Sequence, residues 1–296
     1  MTEMPKNKKM PKLLPIVRTV ADLRAEISKW RRDGASVAMV PTMGALHEGH
    51  LSLLQTARRR ADKVLATIFV NPTQFGPNED FSKYPRQEAK DVEKLIKARC
   101  DLLYAPTVTE MYPDDFSTTV HVSGITEGLC GASRPVHFDG VATVVAKLLM
   151  QGLPDVAVFG EKDYQQLLTI KRFVRDLDIP VEIIGAPTVR EDDGLAMSSR
   201  NAYLSAEERA RAKHFPWILN TLAIDLSKRP NDVTARIEKA KKLLTDSGID
   251  RVDYLEVRDA ETLEPMETID RRARLFAAIF IGKTRLIDNI PVPSRK

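Results

Sequence analysis

Short apolar runs alternate with helical stretches over most of this 296-residue chain, and that rhythm constrains its architecture more than any other feature. Ser36 to Val40, Lys63 to Val70, Asp101 to Tyr104, Asp155 to Phe159 and Val181 to Ile184 read as buried strands. Thr19 to Asp33 carries Val20, Leu23, Ile27 and Trp30 at helical spacing with Gly34 as its stop signal. Leu51 to Arg60, Gln87 to Arg99, Val141 to Gln151 and Tyr164 to Asp176 read as further helices. Strands that are apolar throughout and separated by helices give a parallel sheet covered on both faces, so the fold class is α/β and Rossmann-like. Pro41 is expected to end its strand, and Thr118 to Ser133 shows no period. Beyond Ala186 come a polar loop, helices over Ala206 to Ser227 and Val233 to Ser247, and strands over Val252 to Arg258, Leu275 to Ile281 and Arg285 to Ile290, the last two joined by a Gly282-Lys283 hairpin. The expected organisation is a disordered basic tail over 1–15, a Rossmann-like domain over 16–188 and a smaller α+β domain over 189–296.

Charge is concentrated at the ends. Lysines and arginines number 45 against 41 acidic residues, a formal +4 and a pI near 8.9, which at first sight invites nucleic acid. Lys6, Lys8, Lys9 and Lys12 oppose Glu3 alone in the tail, and Arg295 and Lys296 close the chain. The body between them is nearly balanced, which argues against a surface that tracks a phosphate backbone, so no nucleic-acid partner is expected. Hydrophobic residues at 43% and charged residues at 29% suit a globular enzyme or binding protein. The longest apolar runs, Val141 to Met150 and Leu275 to Gly282, fall far short of the roughly 20 residues a bilayer requires. There is no apolar signal region, and Cys100 and Cys130 make no disulfide framework, so the default compartment is the cytoplasm.

Chemistry gathers where strands end. In Met43-Gly44-Ala45-Leu46-His47-Glu48-Gly49-His50, a strand runs into a loop with two glycines and two histidines three apart, just where a helix starts. Helix N-termini at the carboxyl ends of parallel strands bind anions, and the imidazoles can donate to phosphate oxygens, which suits charge on a nucleotide α-phosphate. An H-x-x-H pair is also a metal-ligand spacing, but no third ligand is in view. Asn71-Pro72-Thr73-Gln74 follows the next strand; alone, Asn-Pro is commonly a turn initiator, and the amides of Asn71 and Gln74 also suit hydroxyls and a carboxylate. Gly160-Glu161-Lys162-Asp163 sits at a third strand-to-helix junction with Gln166 one turn on; Lys162 can neutralise phosphate, though a capped surface helix would look the same. Met197-Ser198-Ser199-Arg200 offers two hydroxyls and a guanidinium on a loop able to close over β- and γ-phosphates. With no nucleophilic Ser or Cys beside a base, such a site is electrostatic.

These segments, with those at 129–135, 137–148, 187–191 and 282–289, resemble the pantothenate synthetases, or pantoate–β-alanine ligases, within the nucleotidyltransferase superfamily. The resemblance implies an ATP-dependent ligation of (R)-pantoate and β-alanine through pantoyl adenylate, with release of AMP and pyrophosphate, in coenzyme A biosynthesis. It implies a cytoplasmic homodimer whose larger domain binds nucleotide and pantoate and whose smaller one is a lid. By matching position it puts ATP on Met43 to His50, Gly160 to Asp163, Val189 and Met197 to Arg200. His47, His50, Lys162, Ser198, Ser199 and Arg200 would be catalytic, with Gln74 and Gln166 holding pantoate and Gln74 also near β-alanine. Magnesium would arrive on the ATP phosphates, and no protein metal ligand is assigned. The chain departs from the family at three points. Val136 replaces a common glycine, which requires a rebuilt loop if the position needs positive φ; Phe280 replaces a common arginine; and Lys90 beside Asp91 leaves an acidic pair incomplete. Two other readings remain at this stage: a nucleotidyltransferase acting on a phosphorylated acceptor, and a nucleic-acid binder using the basic tail.

Overall fold

The computed structural model describes residues 13–77, 79 and 81–294. In chain order, β1 (Ile16–Val17), α1 (Val20–Arg32), β2 (Val37–Thr42), α2 (Glu48–Arg58), β3 (Lys63–Ile68), α3 (Glu88–Lys97), β4 (Leu102–Tyr104), the single turns α4 (Val108–Met111) and α5 (Cys130–Ser133), α6 (His137–Gly152), β5 (Val156–Gly160), α7 (Tyr164–Asp176) and β6 (Glu182–Ala186) build the first unit. Its sheet is parallel, in the order β1-β4-β3-β2-β5-β6. One face carries Leu23 and Ile27 of α1, the apolar side of α6, and Leu167 and Ile170 of α7. The other carries Leu53, Leu54 and Ala57 of α2 and Leu95 of α3. Burial on both faces is why these strands are apolar throughout.

From β2 the chain winds outward through β3 and β4, then returns to place β5 on the other side of β2. Reversal of strand order opens a crevice at the carboxyl ends of the two strands, the place where open parallel sheets bind ligands. The two strands pair only at Ala38–Val156 and Met39–Ala157. Pro41 therefore does not end β2, which runs on to Thr42: β5 has already parted from it, so the missing N–H breaks no ladder on that side.

The second unit comprises α8 (Ala206–Ala212), α9 (His214–Lys228), α10 (Val233–Asp246), β7 (Arg251–Asp259), β8 (Ala273–Ile281) and β9 (Thr284–Pro291). Its antiparallel sheet β7-β8-β9 has a separate core with Phe215, Leu219, Leu244, Leu275 and Ile279. The helix expected over 206–227 is divided at Lys213, because Pro216 has no N–H for the Ala212 carbonyl. Residues 1–12 of the expected tail, and Arg295 and Lys296, lie outside the described residues. The tail boundary at 15 is corrected: Leu14 is buried with Ala38 and Val40, and the Pro15 carbonyl accepts from the Leu103 N–H at 3.0 Å. Among the described residues no helix is long and apolar enough to cross a membrane.

Helix α6 begins at His137, four residues ahead of the first strongly apolar stretch, and Val136 precedes it at φ 62, ψ −4. The loop is therefore not rebuilt; a β-branched residue occupies the left-handed region that glycine favours. Its side chain is 72% exposed, so little burial offsets the strain. Val136→Gly is expected to raise stability by about 0.5–1 kcal/mol, strain relief outweighing glycine's chain entropy. A urea midpoint below the parent's would contradict this.

Candidate active site

The turn from β2 into α2 is built around a buried carboxylate. Asp91 of α3 accepts from the Ala45 N–H at 2.9 Å and the Leu46 N–H at 2.8 Å, and Lys94 donates to the Leu46 carbonyl. Gly44, at φ 82, lies against Asp91: a Cβ there would stand 3.1 Å from Oδ2. The loop is thus held from behind, which turns His47 and His50 toward the crevice. His47 is the N-cap residue of α2, and its backbone N–H donates to His50 Nδ1 at 3.3 Å. That bond makes Nδ1 the acceptor, so the neutral His50 ring carries its proton on Nε2. The two rings lie 4.1 Å apart, and His47 Nδ1 has no hydrogen-bond partner among the described residues. Burial, followed by the Lys162 charge, pushes His47 down to about 4; burial, then His47 and Lys162, pushes His50 down to about 3. Both imidazoles are neutral donors at physiological pH.

At the end of β5, Gly160 leads into a short 3-10 turn, Glu161–Asp163, that carries Lys162. The Lys162 ammonium stands 3.8 Å from Asp163. After β3, Asn71 donates to Gln74 Oε1 at 3.2 Å and to the Gly140 carbonyl at 3.1 Å, while Gln74 Nε2 lies 3.1 Å from Met43 Sδ. The Gln74 carbonyl is held by His137 Nδ1 at 2.7 Å and by Arg134 at 3.2 Å. Arg134 also faces His137 Nε2 at 3.0 Å and pairs with Glu79. A guanidinium only donates, so Nε2 accepts and Nδ1 carries the proton. Burial, then Arg134, pushes His137 down to about 4.

Lowered histidine values set a pH dependence. The unfolded chain takes up protons near pH 6.5 that the folded His137 refuses until about 4, so stability is lost as the pH falls through that window. The loss is about 2 kcal/mol by pH 5 for this residue. The substitution His137→Gln supplies a side-chain amide able to accept from Arg134 and donate to the Gln74 carbonyl without titrating. It should therefore lose less stability than the parent between pH 7 and 5, read by urea unfolding; equal losses would contradict the assignment.

These groups converge. Met43, His47, Gly49, His50, Gln74, Gly160, Lys162, Asp163 and Gln166 line one cavity of about 240 Å³, with Val189, Met197, Ser198, Ser199 and Arg200 lining it from the loop that leads into the second unit. Ser198 accepts from the Arg200 N–H at 3.2 Å, and the Met197 N–H bonds the Val189 carbonyl at 3.0 Å, which shapes that loop. A chamber of about 630 Å³ between the units adjoins the cavity, sharing Lys162, Gln166 and Arg200 with it and reaching Phe280 and Arg285. Phe280 stacks beneath Arg251, whose guanidinium lies 4.0 Å from the ring centre. Five residues expected at the nucleotide lie off the cavity. Gly44, Ala45 and Leu46 are buried behind the turn, Glu48 is exposed on α2, and Glu161 bonds Arg274 at 3.0 Å.

Sequence reasoning missed Asp91, Arg134 and His137 as organisers of this site. Asp91 had one legible signal, a carboxylate four residues before Leu95 on the buried face of α3. Gln165, next to Gln166, is structural: it holds the Ile125 and Gly128 carbonyls and the Cys130 N–H, giving the aperiodic segment its shape. Among the described residues no group of three or more His, Cys, Asp or Glu side chains is placed to hold a metal ion.

A profile of the Pantoate-beta-alanine ligase family matches residues 15–291. The chain belongs to that family. It is 60% identical to the pantothenate synthetase of Paramagnetospirillum magneticum over 94% of this chain and 97% of the relative. The crystal structure of pantothenate synthetase from Thermus thermophilus superposes with a TM-score of 0.88 at 46% identity, covering 94% of this chain and 99% of that one. The pantoate-beta-alanine ligase of Francisella tularensis, solved in complex with beta-gamma ATP and beta-alanine, gives 0.80 at 34% identity, with 94% and 97% covered. The chain is therefore an enzyme, a ligase that joins pantoate to β-alanine, and the crevice between β2 and β5 is its candidate active site.

Proposed function

We propose that this crevice makes pantothenate in two half-reactions. A pantoate carboxylate oxygen attacks the α-phosphorus of ATP, forming the P–O bond of pantoyl adenylate as the bond to pyrophosphate breaks. The β-alanine amine then attacks the acyl carbon, the amide forms, AMP leaves, and the amine's surplus proton passes to solvent. The observation that carries this reading is the convergence on one cavity of His47 and His50 from the start of α2, Lys162 from the 3-10 turn after β5, and Ser198 to Arg200 from the connecting loop. Charge spreads over the phosphate oxygens in the first transition state. Neutral His47 and His50 donate to it, the Lys162 and Arg200 cations balance it, and Ser198 and Ser199 add hydroxyl donors. Val189 lies against the adenine, Gln74 and Gln166 hold pantoate, and Gln74 is also near β-alanine.

Magnesium enters on the ATP phosphates as part of the substrate. Asp91, the remaining member of the acidic pair, has both oxygens committed to backbone amides and is a poor ligand. Residues 189–296 act as a lid over the chamber, and the family resemblance supports a cytoplasmic homodimer. Purified enzyme with ATP, Mg²⁺, pantoate and β-alanine should form AMP and amide in equal amounts, and should release pyrophosphate in a single turnover without β-alanine. Pyrophosphate release with no amide under full conditions would favour a different acceptor. Gln74→Ala should raise the pantoate KM far more than the ATP KM; equal changes in a two-substrate titration would remove Gln74 from the pantoate site.

A further inference from the structure

We infer that Asn289, on β9 of the second unit, is a positioning residue for Lys162, so that this unit forms part of the phosphate-binding turn as well as covering it. The inference rests on the role proposed above for Lys162. Asn289 is 4% exposed, and its side-chain amide donates one hydrogen to the Glu161 carbonyl at 2.9 Å and the other to the Lys162 carbonyl at 2.8 Å. Those two carbonyls belong to a single 3-10 turn. A planar amide with both hydrogens committed therefore sets the tilt of that turn from outside.

Asn289 is itself held. Its backbone N–H donates to Asp288 at 2.8 Å, and Asp288 takes both arms of Arg190, at 2.7 and 3.0 Å, tying β9 to the loop that carries Val189. A second tether runs parallel: Arg274 of β8 bonds Glu161 at 3.0 Å and lies 3.8 Å from the ring centre of Tyr164, the first residue of α7. The Lys162 side chain is long, so a small rotation of its backbone displaces the ammonium from the cavity by much more. Removing the Asn289 amide leaves two part-buried carbonyls without that donor, and the turn relaxes toward other partners.

The test is a double-substitution cycle on pyrophosphate release from ATP and pantoate in a single turnover, with Asn289→Ala, Lys162→Met and both together. Asn289→Ala should slow adenylation by about 10-fold with the pantoate KM unmoved, and Lys162→Met by about 100-fold. The double variant should match Lys162→Met within about twofold, because Asn289 acts through that ammonium. Multiplied effects, or an Asn289→Ala rate equal to the parent's, overturn the inference while leaving Lys162 its role. A Lys162→Met rate equal to the parent's overturns both. If Asn289→Ala does not fold, Asn289→Ser enters the same cycle, with the same outcomes deciding.

Discussion

His50→Ala is expected to slow pantoyl-adenylate formation by about 100- to 1,000-fold, the cost of a single lost donor to transition-state charge, about 3–4 kcal/mol. Two structural facts support so large an effect. His50 Nδ1 is occupied by the His47 N–H, so Nε2–H is the donor left for a ligand. The ring is also held neutral, down to about 3, so it brings hydrogen bonding without requiring a buried cation in the empty site. Pyrophosphate release in a single turnover measures the step directly, and a rate within about threefold of the parent would remove His50 from catalysis.

Asp91→Ala should have the largest effect on stability and a clear one on ATP use, although the residue lines no part of the cavity. Its carboxylate is 1% exposed and is the acceptor for two consecutive backbone N–H groups. Truncation strands both amides and leaves space beside Gly44. The expected loss is about 3–5 kcal/mol, with a raised ATP KM because the turn that presents His47 and His50 is no longer held. Chemical denaturation together with ATP titration tests both parts. Parent-like stability would show that the turn holds its shape without the Asp91 carboxylate.

These two residues also mark how far the sequence carries. His50 is legible because it lies beside glycines at a strand-to-helix junction, a local pattern with a local meaning. Helix α7 has the bounds its periodicity predicts, Tyr164–Asp176, for the same reason. Asp91 is not legible in that way. Its role depends on α3 coming to lie behind a loop 46 positions earlier in the chain. The Arg134–His137 clamp on Gln74 is equally non-local, and β1 is too short at two residues to show any period. Val136 stands between these cases. The family resemblance marks valine where glycine is common, and only the backbone shows that the left-handed turn persists with valine in it.

Activation of pantoate by attack on the α-phosphorus of ATP leaves an isotopic trace. Pantoate labelled with ¹⁸O in its carboxylate, turned over with ATP and β-alanine, tests it most directly. Each AMP formed should carry one ¹⁸O in its phosphate, transferred as the adenylate breaks to the amide, and pyrophosphate should carry none. Unlabelled AMP, or label appearing in inorganic phosphate alongside ADP, would contradict it.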